Sequence, residues 1–223
     1  MTDKKTEPVL FTMTVPGILV FPALFEPKAF MRNGKPTGEQ KYVAKFLLEP
    51  NDPDIGVLKG LLKQVAAARW PGRQLTGLSW PLSDGTKIAD DAQAKDKDHK
   101  DRYDFMRGKV MLTGRSKYPA SLAAIVGGRI VDVVDANRAT LKDKFFFGAE
   151  AMGSFNLVAF EGGNGPDGVT AYLNSVLVNG KGTQIGGQRK SASETFRGYA
   201  GAMSGTDPTE GSTAGTLDDE IPF

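Results

Sequence analysis

Strict alternation of apolar and basic residues in two short segments constrains the fold of this chain more than any other feature. In residues 41–48, Tyr42, Ala44, Phe46 and Leu48 share one face, while Lys41, Val43, Lys45 and Leu47 share the other. In residues 109–117, Val110, Leu112 and Gly114 form an apolar face and Lys109, Met111, Thr113, Arg115 and Lys117 the opposite one. A period of two belongs to strands with one side buried and one side in water. Other strand-like runs occupy residues 9–26, 129–134, 144–160 and 169–178. The first is broken by Pro16-Gly17 and Pro22 and reads as one or two short strands; the third is interrupted near Gly148 and Gly153. Gly162-Gly163-Asn164-Gly165, followed by Pro166-Asp167-Gly168, predicts a hairpin between the last two runs.

One helix stands out. Asp52 suits the N-cap, Pro53 the first helical position and Asp54 the first turn. Ile55, Leu58, Leu62 and Val65 then recur at three- and four-residue steps as far as about Arg69, and Pro71-Gly72 ends the pattern. Residues 28–40 read as a polar loop, and the charged stretch 84–104 as an exposed loop or partly ordered insertion. The expected fold is mainly β, an antiparallel barrel of the oligonucleotide-binding type with one main helix; pattern alone fits a β-sandwich almost as well.

The C-terminal end is different in kind. Residues 201–217 are mostly Gly, Ser, Thr and Ala and cannot bury enough surface to offset their ordering entropy, so a flexible linker is expected after a folded domain of residues 1–200. The tip that follows, Asp218, Asp219, Glu220, Ile221, Pro222 and Phe223, sets three carboxylates beside an apolar hook. Such a tip suits a shallow apolar pocket rimmed by Lys or Arg on a partner, with the acids steering the encounter. Of the 28 Lys and Arg and 26 Asp and Glu, five acids and no base lie beyond residue 200. A near-neutral total therefore hides a basic body of net charge about +7 and an acidic end, and a basic body attracts polyanions, nucleic acid among them. The absence of cysteine excludes disulfides, thiolate metal sites and thiol nucleophiles and fits the reducing cytoplasm. Residues 1–13 lack the apolar run of a signal peptide, so neither export nor membrane association is expected.

Leu24-Phe25-Glu26-Pro27, Lys41-Tyr42, the apolar strand ending at Pro50, the helix, and Pro81-Leu82-Ser83-Asp84-Gly85 follow one another in an order that resembles a bacteriophage family of single-stranded-DNA-binding proteins, long labelled a domain of unknown function. The later landmarks are residues 154–160, Gly168-Val169 and the run 182–187. The resemblance spans about residues 20–196; the 84–104 insertion is longer and more charged than the family pattern. Independently, the tip is similar to the partner-recruiting end of bacterial single-stranded-DNA-binding proteins. Together these resemblances imply an oligonucleotide-binding fold that coats single strands in phage replication and recombination, in the cytoplasm of the infected bacterium. They also imply that replication or recombination proteins are recruited through residues 218–223.

Such a binder needs cations to follow phosphates and flat faces on which bases stack. Lys41, Lys45, Lys109, Arg115 and Lys117 supply cations by alternation, with Arg129 and Arg32 as further phosphate candidates. Phe30, an aromatic among polar residues, is the first stacking candidate and Tyr118 the second. Of Phe145, Phe146 and Phe147, at least one must face away from the core, whereas Trp70 and Trp80 are expected to pack beneath a loop. No cofactor, metal or catalytic residue is expected. Asp84, Asp90, Asp91, Asp96, Asp98 and His99 alternate with Lys, as in a self-neutralising solvated loop rather than a nuclease centre. Residues 182–190 lack the spacing of a nucleotide-binding phosphate loop. The alternative is a non-enzymatic phage assembly or interaction protein whose basic face is incidental. A homodimer is compatible with either reading.

Overall fold

The computed structural model describes residues 7–32, 35–96, 100–163 and 165–185, the side chains of residues 30–38, 100 and 101 excepted. Five long strands close on themselves. They are β2 (Gly17–Arg32), β3 (Lys35–Leu48), β5 (Val110–Ser116), β8 (Ala149–Phe160) and β9 (Gly168–Gly182), paired in the order β2-β3-β5-β9-β8 and back to β2. All neighbours are antiparallel except β5 and β9, which run parallel through Gly114 opposite Ala171. Four short strands extend this frame: β1 (Val9–Thr12) on β8, β4 (Leu82–Asp84) on β5, and the hairpin β6 (Ser121–Val126) with β7 (Arg129–Asp132), whose first strand lies on β9. Closure leaves the long strands few unpaired edges. This is the barrel that the alternation predicts, and the sandwich alternative falls away.

Leu19, Ala44, Phe46, Leu48, Leu112, Leu157 and Leu173 fill the barrel. Phe155, fully buried, sits at its centre, edge-on to Phe46 with ring centres 5.7 Å apart and stacked on Phe11 at 6.2 Å. It has room because Gly114 and Gly153 carry no side chain: a Cβ at Gly114 would stand 2.6 Å from the Phe155 ring. The alternation read in residues 41–48 holds for Tyr42 to Leu48 on the inner side.

The helix α1 (Pro53–Arg69) has the bounds and cap that its sequence predicts, the Asp54 amide donating to Asp52 Oδ1 at 2.9 Å. It lays Ile55, Leu58, Leu62 and Val65 against β1, β8 and β9. Trp70 and Trp80 pack, partly buried, on the same core. Asp54 does more than suit the macrodipole. Its buried carboxylate accepts from the Thr14 amide at 2.6 Å, the Thr14 hydroxyl at 2.7 Å and the Val15 amide at 3.1 Å, tying the helix to the β1–β2 connection. Asp54→Ala strands these donors, and we expect a loss of about 3 kcal/mol. That lowers Tm by about 8 °C in a chain of this size, read by circular dichroism.

Three expectations are corrected. Residues 85–95 form a helix, α2 (Gly85–Lys95), followed by a 3-10 helix (Lys100–Met106), where a loop was expected. Asp84 caps α2 by accepting from the Thr86 amide at 2.8 Å. Ala89 and Met106 cover Val20, Leu47 and Met111 on the outer wall of the barrel. Arg107 holds the two pieces together through Asp104 at 2.8 Å, Asp90 at 2.5 Å and Gln93 at 2.7 Å. The helix was hidden because it buries little more than one alanine and is otherwise charged. Second, residues 28–32 and 35–40 are not a loop: β2 and β3 continue their pairing as far as Arg32 opposite Lys35. Third, β6 lies where no strand was expected, and α3 (Arg138–Leu141) with a further 3-10 turn (Lys142–Lys144) precedes β8.

Candidate nucleic-acid interface

The outer faces of β3, β5 and β9 meet in one groove. Strand register sets Val43 opposite Arg115, and Arg115 beside Tyr172. Outward positions therefore carry Lys41, Val43 and Lys45 on β3, Thr113 and Arg115 on β5, and Thr170 and Tyr172 on β9. Lys117 follows immediately after β5 and is exposed. Lys41, Arg115, Lys117, Phe160, Thr170 and Tyr172 line an open cleft of about 420 Å³, whose far wall is the β8–β9 turn. Tyr172 leaves 45 % of its surface exposed there, enough for a base to lie on it.

The electrostatics of this face depend on its walls. Burial lowers Lys45 below the ordinary lysine range, and the neighbouring Arg115 charge adds to the shift. Arg115 keeps an exposed surface, yet the surrounding protein removes enough hydration to lower it as well. Partly desolvated cations side by side are relieved by an anion between them. Glu39 already acts as such an anion at one edge: it pairs with Lys41 at 2.8 Å and is held below the usual carboxylate range by that hydrogen bond and by the charges of Lys41 and Lys117. A phosphate reaching Lys41 meets the Glu39 charge beside it.

Beside Lys45 lies an aromatic cluster. Phe21 has φ of 47°, in an irregular stretch of β2 between Val20 and Ala23. That left-handed conformation costs a bulky residue on the order of 1–2 kcal/mol. It turns the ring outward, 41 % exposed, 4.9 Å from the Phe147 ring and 5.3 Å from Lys45 Nζ. Phe105, from the 3-10 helix, packs on Phe147 at 5.4 Å. Of the three consecutive phenylalanines, Phe145 is buried in the main core and Phe147 faces this outer cluster.

The nominated residues thus separate. Lys41, Lys45, Arg115 and Lys117 come together, and Tyr118, 78 % exposed, stands next to Lys117 at the groove's end. Lys109 does not join them: it pairs with Glu49 at the opposite end of β5, and the buried Met111 beneath α2 separates it from Thr113. Arg129 sits at the tip of the β6–β7 hairpin. Ala124 of that hairpin pairs with Val178, six residues along β9 from Tyr172, which is about 20 Å of strand. The side chains of Phe30 and Arg32, and the whole of residues 218–223, lie outside the described residues. Phe21, Phe105 and Tyr172 were not singled out from the sequence. Tyr172 had a signal, since Thr170, Tyr172 and Asn174 alternate with the apolar Val169, Ala171 and Leu173. Phe21 had none, because a residue before proline ordinarily takes an extended conformation.

Among the described residues, no three His, Asp or Glu side chains gather as a metal site. Asp84 is engaged as a helix cap and Asp90 by Arg107. No helix among the described residues is long and apolar enough to cross a membrane.

A protein family described as the single-stranded-DNA-binding protein of Enterobacter phage Enc34 matches residues 14–206. Among solved structures, that phage protein in complex with single-stranded DNA aligns with a TM-score of 0.55 at 16 % identity, over 77 % of this chain and 87 % of the other. A second structure of the same phage protein aligns with a TM-score of 0.53, also at 16 % identity, over 82 % of this chain and 87 % of the other. No curated protein sequence matches the chain. The profile match covers most of the chain and the barrel is shared: this protein belongs to the Enc34 single-stranded-DNA-binding protein family.

Proposed function

We propose that this protein holds unpaired DNA along the β3–β5–β9 groove, without catalysis, during phage replication and recombination in the cytoplasm of the infected host. We propose further that residues 218–223 recruit replication or recombination proteins. The observation that carries the first reading is the convergence of Arg115, Lys117 and Tyr172 on one open cleft, cations for phosphates beside a face for bases. Lys45 and the outward ring of Phe21 extend that track toward α2. Backbone-following contacts of this kind are largely indifferent to base sequence.

Titration of a labelled single-stranded oligonucleotide by fluorescence anisotropy tests it. Binding that duplex does not displace is expected, weakening with salt at a log–log slope of about −2 to −3 for three to four neutralised phosphates. Absence of binding at low salt overturns the reading. For the tip, deletion of residues 218–223 is expected to abolish capture of replication proteins by the immobilised protein; capture that persists without them removes the recruiting role.

A further inference from the structure

The far wall of the groove is tied from behind. Gly162, Gly165 and Pro166 of the β8–β9 turn line the cleft, and within the turn the Gly165 amide donates to the Gly162 carbonyl at 3.0 Å. Gly162, Gly163 and Gly165 bring no side chains with which to pack. Backbone of this composition keeps one shape only where its surroundings supply the ties.

Asp167 supplies them. One carboxylate oxygen accepts from the Gly162 amide at 2.9 Å and the other from the Arg73 guanidinium at 2.6 Å, so a single side chain closes the turn and fastens it to the segment between α1 and β4. The bonds from Arg73 and Gly162 hold this carboxyl below the usual carboxylate range. Backbone bonds continue the seam: the Ser79 amide donates to the Asp167 carbonyl at 2.8 Å, and the Val169 amide to the Ser79 carbonyl at 2.9 Å. Gly168 permits this approach, since a Cβ there would stand 2.2 Å from the Ser79 oxygen. Arg69, at the end of α1, pairs with Glu161 just before the turn. Arg73 in turn lies 5.4 Å from the ring of Trp70, which packs on the core. On charge alone an acid this close to a groove for phosphates is unfavourable, so its contribution must come from geometry.

We propose that Asp167, held by Arg73, is a positioning residue for DNA: it fixes the β8–β9 turn as a preformed wall that retains a base stacked on Tyr172, acting through the turn rather than on the strand itself. This rests on the groove holding single-stranded DNA. A wall already in place spares the ordering that binding would otherwise require, and the effect appears in dissociation more than in association.

The test follows association and dissociation of a labelled oligo-dT by stopped flow, using the full chain, Asp167→Ala, Asp167→Asn and the double variant Arg73→Ala/Asp167→Ala. Removing an acid should tighten binding if charge decides. We expect instead about tenfold faster dissociation for Asp167→Ala, with association within about twofold and an unchanged salt slope. Asp167→Asn keeps an oxygen that accepts from Gly162 and should recover to within about threefold of the unaltered protein. The double variant leaves net charge as it was and should be no worse than Asp167→Ala, because both break one tie. Asp54→Ala weakens the fold away from the groove and should leave dissociation unchanged well below its Tm, which separates positioning from general loosening. Unchanged or slower dissociation in Asp167→Ala, no recovery in Asp167→Asn, additive losses in the double variant, or an equal loss in Asp54→Ala overturns the proposal. Absence of binding by the unaltered protein at low salt is a different result, which removes the groove reading itself.

Discussion

Replacing both Arg115 and Lys117 by glutamate is expected to lower single-strand affinity by about 100-fold or more at low salt, with no change in fold. Both side chains point outward from β5 or just beyond it, so the core is untouched. Each cation that neutralises a phosphate releases counterion, and losing two should flatten the log–log salt dependence by about 1.4. The new carboxylates add repulsion at the centre of the groove, next to Tyr172 and close to Lys45. The same reversal at Arg129, at the hairpin tip, or at Lys109, paired with Glu49, should cost less than about threefold. That contrast separates a defined track from attraction to net charge, since all of these substitutions change the total charge in the same direction. If Arg129→Glu weakened binding as much as Arg115→Glu, the groove would not be the track.

Phe155→Ala is expected to cost about 4 kcal/mol, the largest effect of any single core truncation considered. The ring is fully buried, touches Phe11 and Phe46, and occupies the space left by Gly114 and Gly153, so its removal opens a cavity that rigid strand backbones on several sides cannot collapse into. Since a domain is stable by only about 5–15 kcal/mol, this is a large share of the total. Urea unfolding should show a much lower midpoint with an unchanged slope. A loss under about 1 kcal/mol would mean that the ring is not packed as described. Phe155→Leu, which keeps most of the volume, should lose less than half as much.

Local rules were enough where each residue's environment is set by its immediate neighbours in the chain. The α1 cap at Asp52, its apolar stripe and its end near Arg69 follow from positions a few residues apart, and so do the inner and outer faces of β3 and β5. The groove cations Lys41, Lys45, Arg115 and Lys117 were legible for the same reason, because alternation assigns a face without knowing the fold. Alternation could not say what lies over that face. Met111 and Leu47 occupy the same side as the cations but are buried by α2 and the 3-10 helix, and this separates Lys109 from the groove. The helix α2 escaped notice because it buries little more than Ala89 on its own, its stability residing in Asp84, Gly85 and the ties of Arg107.

By itself, then, the sequence determined the strand faces, the one amphipathic helix, the basic body with its acidic end, and the family resemblance carried by ordered landmarks. These are properties of spacing and composition. Only the tertiary structure decided that β5 lies between β3 and β9, which brings Arg115 beside Tyr172, and that β2 turns Phe21 outward beside Lys45. Those relations join residues tens of positions apart, and no period or propensity along the chain encodes a distance that exists only once the barrel has closed.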